Sequence, residues 1–347
     1  MKLTFIDDLV DGMILGEDIY DKFDNLYLSS GAILSKTLIR SLGRMNLDYV
    51  QIVEKLVDNG EKEAIIIEDH LNEEYKKSVD SFKRIFKGAK IGNRVVSDEL
   101  DDCVNPLIDE INSSNNIAKR LWQIEMCDEY TYDHSVQVCM LSALIGKWLG
   151  LTEDAIKEVS KAGLLHDIGK INIPDEILNK PDVLDDDEFK IMKTHPTLGY
   201  VLLMNNKGFA EDILQGVLQH HERYDGKGYP SGAKAKEINK YARIVAIADV
   251  YSAMLSDRVY RKGKSPFEAA RIIMDSSFGY LDPYYSMIFL NKISQFYVGN
   301  IVKLTNGDIG EIVLIQRNEP ARPLVNVEGK FIDLLKESEI EIEEIIY

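Results

Sequence analysis

Residues Ala162–Lys170 read AGLLHDIGK and set His166 and Asp167 side by side in an otherwise apolar segment with helical character. A buried imidazole and a buried carboxylate lose hydration that hydrogen bonds or metal bonds must replace. The pair is therefore either a satisfied polar network or half of a metal site. Read alone, a Leu-Leu-His-Asp run is a common core pattern. The rest of the chain shifts the balance. Of its six histidines, five (His134, His166, His195, His220 and His221) fall between residues 134 and 221, with His70 outside. Five core histidines in one segment without a common task would be a large coincidence.

Moving outward, each of these residues sits at a legible place. His134 lies early on a helix whose Val138, Leu141, Ile145 and Trp148 mark the buried face, so its imidazole is expected to point inward. His195 precedes Pro196 at a helix junction, and His220-His221 ends a helix just before the loop from Glu222 to Pro230. Asp249 stands in IVAIADVYSAML, where a lone carboxylate is costly unless paired or bound. All these donors are nitrogen or oxygen, which suits iron, manganese or another octahedral divalent ion better than a structural zinc. More than four of them implies more than one metal.

Composition bounds what surrounds this chemistry. A length of 347 residues allows two or three domains with a real core. The formal net charge of −17 disfavours nucleic-acid polymers and anionic membranes as partners, and an anionic substrate would need local cations. The most apolar stretch, Ala242–Leu255, is broken by Arg243 and Asp249, and MKLTFIDDLVDG carries acids where a signal peptide would have its apolar centre. The expectation is a soluble, cytoplasmic protein. Cys103, Cys127 and Cys139 have no ligand-like spacing and read as core filler.

The fold class expected is mainly α, with small β modules at either end. Residues 1–100 read as a strand-rich regulatory module plus linker helix, with strands up to Val53, a short helix from Lys36 to Met45 and an amphipathic helix from Leu71 to Phe86. Residues 101–296 read as an all-helical catalytic domain. Thr152, Asp185 with Glu188, Ser265-Pro266 with Glu268, and Asp282-Pro283 carry helix-start chemistry. Residues 297–347 read as a small β module in which Asn306-Gly307 marks a hairpin. The apolar stripe on helix 71–86 could bury against its own chain or against a second subunit, so a homodimer is a possible state.

His134, then His166-Asp167, then Asp249 resembles the HD superfamily of metal-dependent phosphohydrolases. HDIGK at 166–170 with HHERYDGKGYP at 220–230 is similar to its HD-GYP branch, whose known members hydrolyse cyclic di-GMP and in some cases related cyclic dinucleotides. The resemblance covers about Asp128 to Ile293. It implies that His134, His166, Asp167 and Asp249 hold one divalent ion, and that Asp167 bridges to a second held by His195, His220 and His221. It further implies that Lys170 assists catalysis with Asp167, that Gly228, Tyr229 and Pro230 shape the substrate pocket, and that Arg258 and Arg261 contact phosphate. Two ions roughly 3.5–4 Å apart would lower the pKa of a bridging water and clamp the oxygens of an in-line displacement, opening cyclic di-GMP to pGpG and then GMP. Some members carry a glutamate four residues before the first histidine that helps bind a third metal. Here that position is Tyr130, so two metals are expected. Two other readings are a cyclic dinucleotide receptor with little hydrolysis and an HD phosphohydrolase acting on other nucleotides.

Overall fold

Short strands begin the chain because apolar residues come there in twos and threes between glycines and aspartates. The computed structural model describes residues 2–20, 26–28, 30–43, 45, 47, 49–53, 63–113, 130–206, 208–255, 265–277 and 279–346. It pairs β1 (Lys2–Phe5) with β6 (Tyr49–Ile52), β2 (Met13–Ile14) with β5 (Ile33–Leu34), and β3 (Ile19–Tyr20) with β4 (Leu26–Leu28), all antiparallel. Helix α1 (Lys36–Leu42) starts at Ser35, whose hydroxyl accepts from the Leu38 amide at 3.2 Å.

Helix α2 (Glu63–Lys90) is longer at both ends than its amphipathic pattern predicts. Tyr75, Val79, Phe82 and Phe86 follow one another at three- and four-residue spacing and all are buried. They bury against their own chain, in one core with α3 (Asp101–Ser113) and α4 (Tyr130–Trp148). The stripe on α2 is thus covered within the chain.

The helical body continues with α5 (Glu153–Leu165), a 3-10 turn (Ile168–Asn172), α6 (Asp175–Leu178), α7 (Asp186–Met192), α8 (His195–Met204), α9 (Glu211–Gln219), α10 (Lys240–Leu255), α11 (Pro266–Ser276) and α12 (Pro283–Gln295). Their starts follow side-chain chemistry: Thr152, Ser265 and Asp282 accept from first-turn amides, and Asp185 with Glu188 forms a reciprocal capping box. A methyl group at Gly163 would lie 2.7 Å from Ser142 Oγ and 2.9 Å from Val138 O, so α4 and α5 meet backbone against side chain and backbone. That approach carries the helix of His134 up to the helix that ends at His166.

At the C-terminal end, β7 (Ile301–Leu304), β8 (Ile309–Gln316), β9 (Glu319–Val327), β10 (Lys330–Asp333) and β11 (Ile342–Ile346) form an antiparallel sheet in the order β10-β9-β8-β7-β11. The β7–β8 turn places Gly307 at φ +91°, in the left-handed region that the Asn-Gly pair predicts. Strand β11 is an addition to the sequence reading.

Two hydrophobic cores result, each drawing on segments far apart in the chain. One runs from Leu71 on α2 through the helical body to Phe296. The other joins the N-terminal strands and α1 (Leu15, Leu34, Leu38, Leu42) to the C-terminal sheet (Val302, Leu304, Ile312, Val325). Polar contacts tie the same halves: Ser35 Oγ donates to Glu311 Oε1 at 2.7 Å, and Asn326 Nδ2 donates to Thr37 Oγ1 at 3.1 Å. Packing therefore joins α2 to the helical body, and it joins the two terminal β segments to each other. Among the described residues, no helix is long and apolar enough to cross a membrane.

Candidate metal centre

His166 and Asp167 do not lie inside a helix, as their apolar neighbours lead one to expect. Helix α5 ends at Leu165, His166 is its last cap, and Asp167 adopts φ −97° and ψ 5° before the 3-10 turn begins. The break solves a geometric problem, because successive residues of an α-helix point about 100° apart. Here both side chains reach one place: His166 Nε2 lies 3.3 Å from Asp167 Oδ2, and Asp167 Oδ1 lies 3.3 Å from His195 Nε2.

Other elements bring the remaining groups to the same spot. His134, on the first turns of α4, has Nε2 3.1 Å from Asp249 Oδ1 on α10, and that same oxygen is 3.9 Å from His166 Nε2. His220, just after α9, has Nε2 3.3 Å from His195 Nε2 at the start of α8. The His221 ring centre lies 4.1 Å from that of His220 and 5.0 Å from that of His195. Among the described residues, side-chain donors gather into two groups, His134 with His166 and Asp167, and His195 with His220 and His221.

The far side of each ring fixes which nitrogen carries hydrogen. His166 Nδ1 faces Gly163 O at 2.8 Å, His195 Nδ1 faces Met192 O at 2.8 Å, and His220 Nδ1 faces Val217 O at 2.7 Å. A carbonyl only accepts, so these Nδ1 atoms donate and each ring turns its Nε2 inward. His134 Nδ1 meets Ser252 Oγ at 3.0 Å, and that hydroxyl donates onward to Gln137 Oε1 at 2.8 Å. Ring nitrogens thus face carboxylate oxygens, and in one case each other, at 3.1–3.3 Å. Such contacts repel unless a proton or a cation lies between them. His166 Nε2 is buried without a hydrogen-bond partner. The donor set fits a divalent cation.

Electrostatics keep the cluster ready for one. Burial pushes His195 down to about 4, holds His220 well below the usual imidazole range and lowers His221 as well. Burial resists ionisation of Asp167, but Lys170 and His166 outweigh it and hold the carboxyl well below its ordinary value. For Asp249 burial is likewise outweighed, first by the hydrogen bond with His134. Lys170 Nζ contacts Asp167 Oδ2 at 2.5 Å, which accounts for its place one turn beyond the pair.

The loop after His221 covers one side. Tyr229 N donates to His221 O at 3.2 Å, and the two rings lie 4.8 Å apart. Gly228 is needed for a close approach, since a methyl group there would meet Arg223 N at 2.3 Å and His221 O at 2.5 Å. Glu222 is buried and organises the loop: its Oε1 accepts from Ser231 N and Oγ at 2.7 Å and from Gly232 N at 3.1 Å.

The structure brings together His134, His166, Asp167, Lys170, His195, His220, His221 and Asp249, with Tyr229 beside them. Arg258 and Arg261 lie outside the described residues, as does the side chain of Tyr130. Sequence reasoning missed Ser252 and Glu222. Ser252 could have been found as the residue three beyond Asp249 on the same helical face, and Glu222 directly follows the histidine pair.

Residues 107–284 match the family described as HD domain. The chain is 36% identical over 229 residues to a cyclic di-GMP phosphodiesterase of Pseudomonas aeruginosa, covering 66% of this chain and 55% of that protein. It is 43% identical over 155 residues to a cyclic di-GMP phosphodiesterase of Thermotoga maritima, covering 43% of this chain and 42% of that one. It thus spans about half the length of these curated relatives. Among solved structures, an HDG"Y"P protein from Bdellovibrio bacteriovorus superposes with a TM-score of 0.53 at 18% identity, covering 83% of this chain and 97% of that one; the likeness concerns the fold.

Proposed function

The chain belongs to the HD-domain family, and on that premise we propose that it is a metal-dependent phosphodiesterase that hydrolyses cyclic di-GMP. The observation that carries the reading is the buried convergence of imidazole nitrogens and carboxylate oxygens at 3.1–3.3 Å. The named activity of the two relatives supports the choice of substrate. All of these residues lie within 101–296, which we take as the catalytic domain.

His134, His166, Asp167 and Asp249 would hold one divalent ion, and His195, His220 and His221 a second, with Asp167 shared. Iron or manganese suits these nitrogen and oxygen donors. Bound there, such ions supply Lewis acidity at a phosphoryl oxygen and lower the pKa of water. The protein's own groups do the rest. The carbonyls of Gly163, Met192 and Val217 hold three rings in the tautomer that turns Nε2 inward. Lys170 keeps Asp167 ionised and stands ready to meet charge that develops on a phosphate. Gly228, Tyr229 and Pro230 wall the pocket and exclude water, and Arg258 with Arg261 would contact phosphate in a forked geometry. The products are pGpG and, after a second cut, GMP.

The test is turnover of cyclic di-GMP by chelator-treated protein, before and after manganese or ferrous iron is restored. Metal-dependent release of pGpG or GMP is expected. Tight binding without turnover would favour the receptor reading, and cleavage of other nucleotides in its place would reject the substrate. Two metals per chain are expected, because the phenol of Tyr130 ionises only near pKa ~10 and does not replace a carboxylate ligand. Elemental analysis giving three would overturn that number.

A further inference from the structure

Three of the four lysines between residues 170 and 193 are committed. Lys170 pairs with Asp167, Lys180 with Glu188 and Lys190 with Asp187. Lys193 differs. It caps the end of α7, two residues before His195, and its ammonium lies 4.5 Å from the centre of the Phe189 ring and 5.5 Å from that of Tyr229. Among the described residues it has no hydrogen bond or ion pair from its side chain, in a chain where 58 acids outnumber 41 bases.

We propose that Lys193 is a substrate-binding residue that holds the phosphate of the cyclic dinucleotide that is not being cleaved. The proposal rests on the substrate reading above. A cyclic dinucleotide carries two phosphodiesters, and one reaction centre engages one of them at a time. The second is an anion, which an acidic protein must meet with local positive charge beyond that given to the first. Lys193 stands at the edge of the centre: Tyr229 links it to the cluster, with its ring 4.8 Å from that of His221. Two aromatic faces steady the ammonium, and among the described residues no oxygen or nitrogen acceptor takes its N–H donors, which can meet an acceptor arriving from solvent. The neighbouring chain argues against a merely structural role, since the stem of α7 is already closed by the capping box and by the Lys193 amide donating to Phe189 O at 3.0 Å.

The experiment compares metal-loaded wild type, Lys193→Met and Lys193→Arg on two substrates, cyclic di-GMP and bis(p-nitrophenyl) phosphate, which has one phosphodiester and no second phosphate. Methionine keeps the packing stem and removes the charge. The expected result for Lys193→Met is a KM for cyclic di-GMP raised by roughly 10-fold, the worth of one charge-assisted hydrogen bond. Its kcat should stay within about 2-fold, since the lost contact is made equally before and during reaction. Metal content and both constants for bis(p-nitrophenyl) phosphate should be unchanged, and Lys193→Arg should restore most of the KM. An unchanged KM for cyclic di-GMP in Lys193→Met overturns the proposal alone. Equal losses on both substrates, or loss of metal, also overturn it, because Lys193 would then be supporting His195. A wild-type chain that neither binds nor cleaves cyclic di-GMP overturns the substrate reading, and this proposal with it.

Discussion

Asp167 touches both halves of the cluster, with one oxygen 3.3 Å from His166 Nε2 and the other 3.3 Å from His195 Nε2. Replacing it with alanine should therefore release metal from both groups and lower turnover by at least ~10²-fold, more than loss of a supporting partner costs a metal site. The helical circular dichroism should persist; full metal content with normal activity would reject the assignment. The metal-free protein should also respond to acid in a set direction. Unfolded histidines take up protons near pH ~6.5, whereas burial holds His195 at about 4 and keeps His220 and His221 low. Between those values the unfolded state binds more protons, so stability falls as pH falls. His166 acts oppositely: burial resists its charge, but Asp167 and Asp249 outweigh that, so its contribution is present at low pH and lost as pH rises through its raised value. Three lowered groups against one raised leave net acid destabilisation, to which His195 contributes about 2 kcal/mol between pH 7 and pH 5. Urea midpoints of chelated protein at pH 7 and pH 5 check this, and a midpoint that rises on acidification contradicts it. The histidines were legible because polar residues stand out in apolar runs. The carbonyls that orient them were not, since every residue has one.

The elements hold these side chains through contacts too close for ordinary residues. A methyl group on Gly169 would lie 1.9 Å from His195 O and 2.4 Å from Gly199 N, so the 3-10 turn rests directly on the start of α8. Gly169→Ala should push the Asp167 side of the centre away from His195. A loss of about 1–3 kcal/mol in stability is expected from the overpacking, together with weaker metal binding by the His195 group. Calorimetry with metal titration measures both, and wild-type values for the pair would show that the turn can yield. Helix starts were readable at this scale because capping is local chemistry, as at Asp185 with Glu188. The end of α5 was not, because Leu164-Leu165-His166 continues the apolar pattern while the backbone has already turned. Strand β11 escaped notice because its partner, β7, lies about forty residues earlier in the sequence.

At the scale of the whole molecule, α2 belongs to the helical body. Tyr75 donates to Asp133 Oδ1 at 2.9 Å and to Asp133 O at 3.1 Å, one residue before His134, while Phe86 sits 5.4 Å from Tyr132. A chain beginning at Asp101 would lose this brace and expose the apolar surface it covers. Dye binding to exposed apolar surface, a lower melting temperature and weaker metal retention are expected. Unchanged melting and metal content would return α2 to the role of a separable linker. Which segments share a core was the least legible feature, because pairing across hundreds of residues leaves no local pattern.

The joint core of the two terminal β segments also sets an order of events during synthesis. Ser35 and Glu311 are 276 positions apart, so at roughly 5–20 residues per second about 15–55 s separate their emergence from the ribosome. Throughout that interval the N-terminal strands can pair with one another but lack the C-terminal sheet that completes their core, while the helices bearing the histidines can already assemble. A segment made well before its partner is thus completed only after the helices between them.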